Sequence, residues 1–315
     1  MTNLLTPVLD QQGVVVLDGG LATELEKRGR DLNDDLWSAG VLMDQPELVG
    51  RVHADYLAAG ADCIVSASYQ ATVEGFVKKG LSQAGAERLL QESVNIALEA
   101  RDAFWSVAAN RQGRLRPLVA ASIGPYGAFL ADGSEFTGDY DLDEQGLTDF
   151  HADRWQLLAG SDADLLACET IPSATEARVL MKLLEQTPST IAWFSFSCRD
   201  HTHISDGTEL AAIARELSAA ERIVAVGVNC TAPRFISALV TSVKAVTSKP
   251  IVVYPNSGES WDARSKRWLP GEEAIDLPQA SRAWKDLGAS LIGGCCRTGP
   301  EDIRGIRQQL LSVEM

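Results

Sequence analysis

A single (β/α)8 TIM-type barrel, an α/β fold with its chemistry at the carboxyl ends of the strands, is what this 315-residue sequence predicts. Three observations predict it. Eight short apolar, β-branched runs recur along the chain, at 14–17, 63–66, 118–122, 165–168, 191–196, 223–228, 251–254 and 290–292. Between them lie longer segments whose apolar residues recur at three and four, the helical period. Just after each run come polar residues, glycine or cysteine, as a barrel mouth requires. A doubly wound open sheet is the other way to alternate strands and helices, but no Gly-x-Gly-x-x-Gly follows the first run, so a dinucleotide site lacks support. No repeat, low-complexity tract or linker divides the chain, and residues 1–315 read as one domain.

The first run follows residues 1–13, which lack the basic region and apolar stretch of a secretory signal. It stops at Asp18-Gly19-Gly20. The segment from Pro46-Glu47-Leu48-Val49 to Leu57-Ala58-Ala59-Gly60 has helical spacing and a glycine stop, so Gly60-Ala61-Asp62 feeds the second run. Ser68-Tyr69-Gln70 follow that run. The third leads into Gly124-Pro125-Tyr126-Gly127 and a glycine-rich, acidic, aromatic segment reaching Tyr140. Such a segment is long for a βα loop, and long loops in compact domains are usually functional, so it reads as a lid. Glu169-Thr170 follow the fourth run, Ser197-Cys198-Arg199 the fifth and Asn229-Cys230 the sixth. Pro255-Asn256-Ser257-Gly258-Glu259 follow the seventh. The eighth, introduced by Gly288-Ala289-Ser290, ends in Gly293-Gly294-Cys295-Cys296-Arg297.

Composition narrows the function classes. A net charge of −15 and a pI of ≈ 4.7 repel phosphate backbones and anionic lipid, which excludes nucleic acid and membrane surfaces as partners. No apolar run approaches the roughly 20 residues of a membrane helix. A cytoplasmic place is expected, where thiols stay reduced and the six cysteines suggest metal binding or catalysis before disulfides. Cys63, Cys168 and Cys198 lie in apolar runs and read as core fillers.

Cys230, Cys295 and Cys296 are different, because each sits where a run stops. Three thiolates at one barrel mouth can hold a zinc ion and leave its fourth position open, the geometry of a catalytic site. Neighbouring side chains on a strand point to opposite faces, so Cys295 and Cys296 share a metal only if the strand ends there, and Gly293-Gly294 makes a turn cheap. The alternative is that all three are buried packing residues, as free cysteine often is.

Asp18 and Glu169 enter the same mouth without an adjacent Lys or Arg, and together suit a substrate ammonium. Acidic residues after a strand also cap the following helix, which is the competing reading. Gly19 and Gly20 let backbone amides approach a carboxylate. Ammonium plus carboxylate means an amino acid. Trp37, Tyr69, Tyr126, Phe129, Phe136, Tyr140 and Trp261 gather in the loops, where aromatic faces attract cations such as sulfonium, although any one of them also serves as packing. His201-Thr202-His203 has the spacing of a hydrolase metal pair but follows the fifth run among Arg199, Asp200 and Asp206, as an exposed loop would. His53 and His151 lie in helical segments as surface or packing residues. No Gly-x-Ser-x-Gly elbow appears.

Leu17-Asp18-Gly19-Gly20-Leu21-Ala22-Thr23-Glu24-Leu25, Leu36-Trp37-Ser38-Ala39, Ser66-Ala67-Ser68-Tyr69-Gln70-Ala71-Thr72, Ala167-Cys168-Glu169-Thr170, Gly227-Val228-Asn229-Cys230, Tyr254-Pro255-Asn256-Ser257-Gly258-Glu259 and Gly293-Gly294-Cys295-Cys296-Arg297 together resemble the homocysteine S-methyltransferase family. The likeness spans essentially the whole chain. It implies a zinc-dependent transfer of a methyl group to homocysteine, giving methionine. By resemblance, Cys230, Cys295 and Cys296 match the zinc ligands and Asp18 and Glu169 the groups holding the homocysteine ammonium. Gly19 and Ser68 match positions near its carboxylate, and Asn229 a site-lining residue. The motifs look most like the branch using S-methylmethionine, with S-adenosylmethionine as a second sulfonium donor. Trp37, Tyr126, Glu135 and Glu259 are the expected donor contacts, with Asp139 a further acidic group in the loops. The absence of cobalamin and folate domains favours a stand-alone enzyme with a diffusing donor. Betaine-dependent methyl transfer is the neighbouring alternative. A barrel hydrolase using His201 and His203, or a non-catalytic thiol sensor, belongs to other classes.

Overall fold

A computed structural model describes residues 3–32, 38–262, 267–269 and 275–311. Eight parallel strands form the main sheet: β1 (Val15–Val16), β2 (Cys63–Val65), β3 (Leu118–Ile123), β4 (Leu165–Ile171), β5 (Ala192–Phe196), β6 (Ile223–Asn229), β7 (Ile251–Tyr254) and β10 (Ala289–Ile292). Their order is β1-β10-β7-β6-β5-β4-β3-β2. A parallel bridge between Leu17 and Cys63 joins the two ends, with the Asp18 amide on the Cys63 carbonyl at 3.1 Å, so the sheet closes into a barrel. All eight predicted runs become strands of it.

Closure buries both faces of every strand, which is why the runs are continuously apolar rather than alternating. Val16, Ile64, Val119, Phe194, Val226 and Val253 face the helices. Val15, Cys63, Ala120, Trp193, Ala225 and Val252 fill the barrel interior. Leu5 and Val8, around the start of helix Thr6–Gln12, join the interior set and close it from below. Helix Pro46–Ala59 stops where expected: Gly60 takes a left-handed φ of 118°, and a Cβ there would lie 2.3 Å from Arg307 Cδ. His53 and His151 are packing residues, both fully buried, as are Cys63 and Cys168. Cys198 is half-buried against the outer core.

Two features depart from the sequence reading. β4 continues through Glu169 and Thr170, with a register shift between Cys168 and Ile171. The chain between β7 and β10 also adds a two-stranded hairpin, β8 (Ser260–Asp262) with β9 (Arg267–Leu269). Among the described residues no helix is long and apolar enough to cross a membrane.

Candidate active site

The carboxyl ends of the strands surround a cavity of about 210 Å³, lined among others by Asp18, Gly19, Glu169, Cys230, Cys295 and Cys296. The three sulfurs converge. All lie within 4.8 Å of one another, and Cys230 Sγ is 3.7 Å from Cys296 Sγ. The main chain fixes them there: the Cys230 amide bonds the Tyr254 carbonyl (3.1 Å), that of Cys295 the Pro255 carbonyl (2.8 Å) and that of Cys296 Asn256 Oδ1 (3.2 Å). Cys295 and Cys296 lie beyond the end of β10, as a shared site requires. Cys230 and Arg297 adopt left-handed φ values of 47° and 66°, a strain that persists where surroundings overdetermine the backbone. Gly293 and Gly294 serve close approach rather than a left-handed turn. Added Cβ atoms would come within 2.6 Å of Leu17 Cβ and 2.3 Å of Thr298 Oγ1.

These thiols ionise as a group. Hydrogen bonds from Cys230 and Cys295 hold Cys296 well below the usual thiol range, and the bonds Cys230 makes to Cys295 and Cys296 push Cys230 well above it. Arg297, next to Cys296 in sequence, is already engaged, since its Nε donates to Glu259 Oε2 at 2.7 Å. Three soft sulfur donors so close together form a centre able to hold one metal ion.

Asp18 and Glu169 both reach the cavity, and neither caps a helix. Gly20 is the cap of helix Leu21–Lys27, and Ser173 caps helix Ala174–Glu185. Asp18 Oδ2 instead accepts from the Val65 amide at 2.8 Å. Glu169 Oε1 accepts from Ser122 Oγ and its Oε2 from Tyr254 Oη at 3.0 Å. Burial pushes Asp18 well above the usual carboxylate range and Glu169 up to about 7, the Cys295 sulfur adding to the second. A buried cation would restore both.

The other expected contacts divide. Gly19 lines the cavity, and because the Gly20 amide is used by the Thr298 carbonyl (3.1 Å), Gly19 is the one left for a carboxylate. Ser68 is fully buried, its hydroxyl donating to the Ser122 carbonyl at 2.8 Å. Asn229 is spent on Thr170: Oδ1 accepts its amide and Nδ2 donates to its hydroxyl, both at 2.7 Å, bracing the φ of 58° that Thr170 adopts. Of the donor residues, Glu135 lines the cavity. Tyr126 packs among Phe129, Tyr140 and Phe150, with ring centroids at 5.9, 5.3 and 4.9 Å. Glu259 is paired with Arg297, and Trp37 lies outside the described residues. Tyr69 and Phe136 also line the cavity. His201 meets Phe235 edge-on with ring centroids 4.6 Å apart and His203 Nδ1 meets Asp200 at 3.0 Å, and neither histidine lines the cavity.

The segment read as a lid contains helix Tyr126–Leu130 and a 3-10 turn, Ser134–Phe136. Sequence reasoning missed what holds it. Buried Glu176 accepts from the Tyr126 amide (2.6 Å), His151 Nε2 (2.8 Å) and Tyr140 Oη. Buried Arg154 donates to the carbonyls of Gly124 (3.0 Å), Ser68 (2.8 Å) and Tyr69 (2.7 Å), tying two mouth loops to helix Glu144–Ala159. The available signal was a charged residue on the apolar stripe of each helix.

The fold and this mouth define a barrel enzyme with a thiol-lined centre able to hold a metal ion. The chain belongs to the homocysteine S-methyltransferase family, whose sequence profile matches residues 15–310. It is 53% identical over 304 residues to homocysteine S-methyltransferase YbgG of Bacillus subtilis (strain 168), covering 96% of each chain. It is 49% identical over 310 residues to selenocysteine Se-methyltransferase of Brassica oleracea var. italica, covering 95% of this chain and 90% of that protein. The metallated form of homocysteine methyltransferase MmuM from Escherichia coli superposes with a TM-score of 0.88 at 44% identity, covering 98% of this chain and all (100%) of that one.

Proposed function

We propose that this protein, acting as one domain in the cytoplasm, makes methionine by zinc-assisted methyl transfer from a sulfonium donor, S-methylmethionine foremost, to homocysteine. The observation that carries the reading is the sulfur cluster beside two buried carboxylates in one cavity. Zinc fits these donors. Zn–S bonds of about 2.3 Å arranged tetrahedrally put sulfurs about 3.8 Å apart, and Cys230 and Cys296 already stand at 3.7 Å. Cys230, Cys295 and Cys296 would be its ligands. When bound, zinc supplies a Lewis acid that acidifies the homocysteine thiol, so that its sulfur is nucleophilic at neutral pH.

The chain's own residues then bind and aim. Asp18 and Glu169 take the homocysteine ammonium and the Gly19 amide takes its carboxylate, which fixes the sulfur against the cluster. The reaction moves an electron pair from that sulfur to the donor methyl carbon as the methyl–sulfonium bond breaks, leaving a neutral thioether. No proton has to reach the leaving group, so no catalytic acid is required, in keeping with the carboxylates' use as ammonium partners. Alignment of sulfur, methyl and leaving sulfur is the main contribution of the barrel.

Purified protein given homocysteine with S-methylmethionine, S-adenosylmethionine or betaine in parallel tests the proposal. Methionine should form fastest from S-methylmethionine and slowly from betaine. Betaine turnover above that of both sulfonium compounds would overturn the donor assignment.

A further inference from the structure

Among the described carboxylates around the mouth, Glu135 stands apart in how its oxygens are used. Asp18 accepts from the Val65 amide, Glu169 from Ser122 and Tyr254, and Glu259 from Arg297. Glu135 Oε2 is buried and has no hydrogen-bond partner among the described residues. The residue itself lines the cavity into which the three cysteines also reach. Its placement is built in from two sides. The Glu135 carbonyl accepts from Ser197 Oγ at 3.0 Å. Helix Tyr126–Leu130 packs so closely on turn Ser134–Phe136 that a Cβ on Gly127 would lie 2.4 Å from the Glu135 amide nitrogen.

A buried carboxylate oxygen without a donor is costly, and the cost is recovered when a ligand supplies one. The missing group must be a hydrogen-bond donor. A sulfonium or a quaternary ammonium offers no N–H, whereas a primary ammonium offers three. Charge development points the same way. The sulfonium loses its charge as the methyl leaves, so a carboxylate paired with it would stabilise the ground state over the transition state. An ammonium keeps its charge throughout, and its partner binds both states equally.

We infer that Glu135 holds the α-ammonium of a methyl donor that is itself an amino acid. The inference rests on the proposed sulfonium donor and adds the feature by which that donor is selected. Glu135 is then a binding and specificity residue, acting through KM rather than kcat.

The test compares unaltered protein with Glu135→Gln and Glu135→Asp, on S-methylmethionine and on dimethylsulfoniopropionate, a sulfonium without an amine. Glu135→Gln should raise KM for S-methylmethionine, and its Kd by calorimetry, about 10- to 100-fold, the scale of one charged hydrogen bond. Its kcat, its homocysteine KM and its turnover of dimethylsulfoniopropionate should stay close to those of the unaltered protein. Glu135→Asp keeps the charge but withdraws the oxygen by one methylene, and should fall between. Unchanged S-methylmethionine binding in both variants, or equal losses for both sulfonium compounds, would overturn the inference alone. Failure of the unaltered protein to use S-methylmethionine while it uses betaine would remove the donor assignment and this inference together.

Discussion

Tyr254 Oη donates to Glu169 Oε2 at 3.0 Å from the last residue of β7, while its own oxygen meets Ser195 Oγ at 2.6 Å and Trp193 Nε1 at 3.1 Å. A chain of polar groups thus runs up the barrel interior and ends on the Glu169 carboxylate, for which an ammonium partner is proposed. All four side chains are buried, so the apolar interior and the site are one construction.

Tyr254→Phe removes the bond to Glu169 and leaves the ring in place. The carboxylate then holds its substrate less firmly, and homocysteine KM should rise about tenfold, roughly 1.4 kcal/mol. Metal content should be unchanged, because no ligand is touched. Steady-state kinetics paired with metal analysis checks this, and an unaltered homocysteine KM would count against the role given to Tyr254.

Single Cys230→Ser, Cys295→Ser and Cys296→Ser variants should each lose stoichiometric zinc and with it methionine formation. A chelator should lower the melting temperature of the unaltered protein, since a ligand bound only to the folded state stabilises it. Full zinc retention in all three variants would dismiss the cluster as a metal centre.

The strands were readable because a closed parallel sheet buries both faces, which writes itself as continuous apolar runs. The sulfurs were readable because strand ends in a barrel all open on one mouth. Less visible was whatever depends on a partner distant in sequence. The apolar run stops before Glu169, yet β4 carries that residue through an irregular register that Asn229, from β6, braces at Thr170. Nothing near Asn229 announces that its amide is spent there. The pair Gly293-Gly294 reads in the sequence as a cheap turn, whereas the neighbours that demand glycine, Leu17 and Thr298, lie outside it. Arg154 and Glu176 sit on helices whose own sequence does not show the loops they hold.

Arg154→Met should be among the most destabilising single changes outside the core. The guanidinium is buried and serves three carbonyls at once, so its loss strands them together. A cost of about 3–5 kcal/mol is expected, on the scale of breaking a buried charged network. Arg154→Lys should recover only part of it, because one ammonium cannot reproduce the planar fork. Urea titration of the two variants measures the difference; equal stability to the unaltered protein would mean the loops hold themselves.

His53 gives the fold a pH dependence of its own. The ring sits in helix Pro46–Ala59 at 1% exposure, neither nitrogen has a partner among the described residues, and burial pushes it down from 6.5 to about 4. Below pH 6.5 the unfolded chain therefore takes up a proton at His53 that the folded chain refuses. Stability attributable to this group is present above 6.5, falls as pH drops, and stops changing below about 4, where the folded form is protonated too. The full loss is about 3 kcal/mol, at about 1.4 kcal/mol for each unit. Between pH 7.5 and 5 the unaltered protein should lose roughly 2 kcal/mol more than His53→Leu, which has no proton to take up. Urea midpoints at the two pH values for both proteins isolate the effect, because every other titrating group is common to them. Identical losses would show that the site opens to water before the proton arrives.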